Sequence, residues 1–145
     1  MNALILGLQV LLVALSFTVI YTDIRTRTIS HSICFSVAFV CLLLAVLRGD
    51  VFILGPVLIL LAGVFLTFWR LLGGGDSKLL AAYAIAIPPS DLPTLLIGIA
   101  LLGGVIAVLF YFYYTVQGKT EQAKSRGVAY GIPIAICASL MIIFS

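Results

Sequence analysis

Gly73-Gly74-Gly75-Asp76-Ser77-Lys78-Leu79-Leu80 interrupts a chain that is otherwise mostly apolar, and what surrounds it decides the fold. One apolar run ends at Leu72 and another begins at Leu79, so the stretch is a polar island between hydrophobic segments. Glycine has no Cβ and lets another part of the chain approach closely. An ionisable residue at the edge of a membrane segment is a candidate functional site in its own right. Read alone, the stretch is equally a glycine loop with an aspartate helix cap. A second carboxylate, Asp23, tips the balance.

Working outward, the 145 residues are 63% hydrophobic and 9% charged, with a mean hydropathy of +1.31. These values exclude a soluble domain and a disordered chain and predict an all-α, polytopic membrane protein. Its length suits one membrane-embedded domain over residues 1–145. The net charge of +3 is not gathered into a basic face, so no nucleic-acid partner is expected. Cys34, Cys41 and Cys137 lie inside apolar runs without ligand spacing, so they read as small core residues rather than disulfide or zinc positions. No metal and no cofactor is expected. The glycines do not form a phosphate loop, which needs GxxxxGK[ST] after a strand.

Six helices are predicted: Leu4–Tyr21, Ile33–Leu47, Val51–Trp69, Leu79–Ile87, Leu92–Thr115 and Val128–Phe144. The first lacks a basic leader region and is expected to be retained rather than cleaved. The fourth is short, stopped by Pro88-Pro89, and its alanines allow close packing. The fifth ends in the aromatic cluster Tyr111-Phe112-Tyr113-Tyr114, which suits a membrane interface. Numbering the connections alternately puts Arg25, Arg27, Arg70, Lys78, Lys119, Lys124 and Arg126 on one side and Arg48 on the other. The basic side is cytoplasmic by the positive-inside rule, with both chain ends outside. The same numbering places Asp23 and Asp76 together at the cytoplasmic face, while Asp50 and Asp91 face out.

Two neighbouring carboxylates do not both ionise easily, so one holds a proton while the other stays charged. In an aspartic protease the charged group takes a proton from water and the protonated one donates to the scissile carbonyl oxygen. Helix dipoles predict that Asp23, at a helix C-terminus, carries the shared proton more often than Asp76, at a helix N-terminus. His31 reads as a helix-capping residue beside Ser30 and Ser32 rather than as part of a nucleophile pair. Lys78 reads equally as an electrostatic aid to the pair, a lipid-phosphate contact or a positive-inside lysine.

These residues resemble the type IV prepilin peptidase family of GxGD membrane aspartyl proteases. The likeness rests on Asp23 before basic residues, on Gly73-Gly74-Gly75-Asp76-Ser77-Lys78-Leu79, and on Ala129-Tyr130-Gly131-Ile132-Pro133-Ile134-Ala135 in the last helix. Ser30-His31 and Ala129 depart from the family pattern, where Pro-Asn and Pro are usual. The resemblance implies cleavage of the basic leader of a type IV pilin-like precursor at the cytoplasmic face of the bacterial inner membrane. It makes Asp23 and Asp76 the catalytic pair, with Gly73, Gly74, Gly75 and Lys78 as the active-site loop. The small size is similar to the short form found with Flp/Tad tight-adherence pili. The ten-residue link after the first helix lacks the cysteine-rich insertion associated with N-methylation. The expected partners are the precursor and membrane lipid.

Two other classes stay open. A GxGD protease cutting within the bilayer ranks second; such enzymes usually carry Tyr-Asp, whereas here Thr22 separates Tyr21 from Asp23. A small proton-coupled carrier ranks third, because neither inverted repeats nor mid-span charges are seen.

Overall fold

Threonine and serine hydroxyls let the first helix run further than hydropathy alone suggests. Thr22 Oγ1 donates to the Thr18 carbonyl at 2.9 Å, and Thr26 Oγ1 to the Thr22 carbonyl at 2.8 Å, so neither side chain needs water. The helix therefore passes through Asp23 to Thr26, five residues beyond the predicted end. In the computed structural model, residues 2–26, 29–69, 73–117 and 130–144 are described.

These residues form six helices: α1 (Asn2–Thr26), α2 (His31–Arg48), α3 (Leu54–Phe68), α4 (Gly74–Ala84), α5 (Leu92–Val116) and α6 (Gly131–Phe144). No strand occurs among the described residues, and the all-α reading stands. Of the six, α1, α2 and α5 are long and apolar enough to cross a membrane, while α3 and α6 are shorter apolar helices. The fourth predicted helix begins five residues early, at Gly74, and ends at Ala84. The prolines at 88 and 89 act a little upstream, because each disfavours helical backbone in the residue before it.

The short helix α4 is the core. Leu79 through Ala84 are all buried, and α4 packs against α2, α3 and α6. α1 lies on α2 and α6, and α5 lies on α6. Small residues make the close approaches: Gly63 of α3 abuts the Ser77 side chain so tightly that a Cβ there would overlap it. Apart from Gly55 and Gly63, α3 buries nothing fully and turns Leu61, Val64, Phe65 and Phe68 outward. Tyr83, fully buried in α4, bonds Ser16 of α1 at 2.7 Å. Ser16 gives its own proton to the Leu12 carbonyl, so the tyrosine is the donor.

The two ends of the bundle differ. At one end α2 closes with Gly49 at φ 86°, where the Gly49 and Asp50 N–H groups bond the Val46 and Ala45 carbonyls. There the Arg48 guanidinium also donates to the Ile142 carbonyl of α6 at 2.8 Å. At the other end lie the C-terminus of α1 and the N-termini of α2, α4 and α6. Gly103 of α5 faces Tyr130 at that level, and α5 continues for roughly 20 Å beyond it. This extension exposes Tyr111, Phe112 and Tyr113, the cluster expected at an interface. Of the basic residues used for orientation, Arg25 and Lys78 lie at this end and Arg48 at the opposite one. Arg27, Arg70, Lys119, Lys124 and Arg126 fall outside the described residues.

Candidate active site

Asp23 is buried because of its register. Leu12, Ser16, Val19 and Asp23 recur at helical spacing and are the fully buried positions of α1. The carboxylate thus continues an inward-facing stripe into the last turn of the helix, and Asp23 is only 4% exposed. It belongs to α1 rather than to a polar link.

Asp76 is placed by the opposite kind of terminus. Gly73 is the N-cap of α4, and its carbonyl accepts the N–H groups of Asp76 at 3.1 Å and Ser77 at 3.3 Å. The Asp76 carboxylate in turn accepts the Gly73 N–H, so the pair forms a reciprocal cap. The aspartate is therefore the third helical residue and not the cap itself. The expected glycine loop is also corrected: Gly74 and Gly75 are helical, and Gly49 is the only positive-φ glycine among the described residues. The glycines matter for space. A Cβ on Gly73 would stand 2.8 Å from Asp76 Oδ2.

Ile29, in the link before α2, joins the two acidic elements. A Cβ on Gly75 would lie 3.5 Å from Ile29 Cβ, and one on Gly131 would lie 3.2 Å from Ile29 Cδ1. Gly131, the first residue of α6, is closer still to Asp23: its Cβ would stand 2.6 Å from Oδ2 and 2.9 Å from Cγ. The last-helix stretch quoted for its resemblance is thus a wall of the acidic site. Tyr130-Gly131 carried that signal in the sequence. Ile29 stands where the resembled family has the isoleucine of Ile-Pro-Asn, but nothing in the sequence assigned it a role in the site.

Asp76 lies in the polar first turn of α4, ahead of the apolar part that begins at Leu79. Burial raises its carboxyl from 3.8 to about 6, the negative charge of Asp23 adds to the rise, and the Gly73 N–H partly offsets it. At Asp76, desolvation and the neighbouring charge thus outweigh the favourable helix N-terminus. Such a pair supplies both a base and an acid within one small volume.

Lys78 and His31 do not join this arrangement. Lys78 follows Asp76 by two positions, about 200° around the helix, and with His31 it lines a cleft between α2, α3 and α4. Lys78 is not among the groups that shift Asp76. His31 is the first residue of α2; the cap position is Ser30, whose side chain makes no capping bond. Ala129 lies outside the described residues. Among the described residues no cluster of His, Cys, Asp or Glu is arranged to hold a metal ion.

The type IV leader peptidase family matches residues 10–108, more than half of the chain, a stretch that contains Asp23, Ile29 and Gly73–Asp76. No curated protein and no solved structure matches it. The chain belongs to the type IV leader peptidase family.

Proposed function

We propose that this member of the type IV leader peptidase family is a membrane aspartyl endopeptidase whose Asp23 and Asp76 activate water together. Its substrate is a type IV pilin-like precursor, cut behind the short basic leader at the cytoplasmic face of the bacterial inner membrane. The apolar parts of the six helices lie in the membrane as one peptidase domain, with the first turn of α4 at its cytoplasmic face and both chain ends outside.

The observation that carries the reading is that Ile29 packs against both Gly75, beside Asp76, and Gly131, beside Asp23. Carboxylates from two different helices thus flank one end of the bundle, and the rise of Asp76 next to Asp23 supports the reading. Ionised Asp23 takes a proton from water as the water oxygen bonds to the scissile carbonyl carbon. Protonated Asp76 gives its proton to the carbonyl oxygen, leaving a neutral tetrahedral diol. Asp23 then delivers its proton to the amide nitrogen as the C–N bond breaks. Asp76 recovers its proton from the diol hydroxyl as the carbonyl re-forms. The leader leaves with a carboxylate and the mature chain with a new amine. Residues 27–30 alone separate α1 from α2, so no cysteine-rich domain is inserted there and N-methylation is not part of the reading.

Co-expression with a pilin-like precursor tests this. Mass spectrometry of the product is expected to show one new N-terminus immediately after the basic leader. An uncleaved precursor, or cleavage within its apolar segment, would favour the intramembrane alternative or another substrate.

A further inference from the structure

α2, α3 and α4 enclose an open cleft of about 380 Å³ on the side of α4 that carries Lys78. Its depth is lined by Ala38 of α2, Pro56 and Leu60 of α3, Ala82 of α4 and Ile85 just after it, so an occupant there meets hydrocarbon. Phe35 at its edge is 75% exposed, which leaves the cleft open to the bilayer. Its polar rim is different in kind. Lys78 and His31 are exposed there, and Lys78 makes no salt bridge among the described residues. The rim also meets the first turn of α2, which has no acidic residue and no side-chain cap from Ser30. An uncapped helix N-terminus attracts anions through its N–H groups and dipole.

Charge selects the occupant. From Lys78 to Ile85 the cleft runs along roughly 10 Å of the chain, apolar in its depth and cationic at its rim. A flexible acyl chain fits, and the rim calls for an anion at its head.

We propose that this cleft is a binding site for an anionic phospholipid. One acyl chain lies against Ala38, Leu60 and Ala82, and the phosphate lies between Lys78, His31 and the first turn of α2. The depth of the rim, level with the start of α4, matches a headgroup in the leaflet that faces the Asp23–Asp76 end.

Native mass spectrometry of the full chain in detergent tests this, with phosphatidylglycerol and phosphatidylcholine of the same acyl chains supplied in equal amounts. The wild type is expected to retain one phosphatidylglycerol with about a fivefold preference, the size expected for one lysine at an anionic headgroup. Lys78→Gln, at an exposed position, is expected to reduce retention to the phosphatidylcholine level. Ala38→Phe, which fills the cleft, is expected to lower retention of both lipids. Excess inorganic phosphate is expected to displace neither. Equal retention of the two lipids by the wild type would overturn the proposal, as would an undiminished preference in Lys78→Gln or displacement by inorganic phosphate.

Discussion

Gly131 at the start of α6 and Asp23 at the end of α1 are packed so closely that a methyl group on Gly131 would stand 2.6 Å from Asp23 Oδ2. No real Cβ tolerates that distance, so the absence of a side chain at Gly131 sets the position of the buried carboxylate. The four glycines of the site consequently differ in what they tolerate, although all look alike in the sequence.

Gly131→Ala is expected to push Asp23 aside and lower kcat/KM about a hundredfold, the usual effect of an ångström-scale misplacement of a reacting group. Gly73→Ala, whose methyl meets Asp76 Oδ2 at 2.8 Å, is expected to impair cleavage as well. Gly75→Ala meets Ile29 at an ordinary 3.5 Å and Gly74→Ala meets Thr67 at 3.9 Å, so both are expected to stay within a few-fold of wild type. Cleavage rates of the four purified variants measure the contrast. Equal damage at Gly75 and Gly131 would contradict it.

The Asp76 carboxyl binds its proton more tightly in the folded state, at about 6 against an ordinary 3.8. Its contribution to stability is therefore fully present below about 3.8 and is lost as pH rises through about 6. Asn at this position remains neutral and still accepts the Gly73 N–H. Asp76→Asn is expected to be more stable than wild type at pH near 7.5 by on the order of 1 kcal/mol, a value discounted for partial exposure. That advantage is expected to shrink towards pH 4. Thermal melting of both proteins across this range checks the sign.

Removing the neighbouring charge isolates the electrostatic part. Asp23→Asn is expected to lower the apparent pKa of Asp76 while leaving it above 3.8, because burial, the larger cause, remains. The carboxyl infrared band of the two proteins, followed through a pH titration, reads the shift. An unchanged titration would mean that the two groups are not coupled.

Away from the acidic site, Ser16 and Tyr83 tie α1 to the core helix through one buried hydrogen bond. Ser16→Ala leaves a fully buried phenol without its acceptor and is expected to cost about 1–3 kcal/mol. Tyr83→Phe leaves Ser16 its bond to Leu12 and is expected to cost about 1 kcal/mol or less. Denaturation midpoints in detergent separate the two.

Apolar run length and the positions of charges report directly on helix order, which is why six helices and the shared end of Asp23 and Asp76 were legible in the sequence. Helix ends were less so. Thr22 and Thr26 look like a polar link to any hydropathy measure, yet their hydroxyls are satisfied inside α1. Gly74 and Gly75 look like a loop, yet the Gly73–Asp76 cap starts a helix over them. The contacts of Ile29 with Gly75 and Gly131 are products of tertiary packing between segments far apart in the chain, and no local pattern encodes them. The separation of Lys78 from Asp76 was available from helical spacing alone, once the helix was known to begin before both.

The central claim is that Asp23 and Asp76 act as one catalytic pair. It is tested most directly by purified wild type, Asp23→Asn and Asp76→Asn acting on the same pilin-like precursor, with folding verified by melting curves. Each single substitution is expected to reduce cleavage by about a thousandfold or more, since the pair works only as an acid and a base together. A folded variant of either kind that still cleaves within about tenfold of wild type would contradict the account.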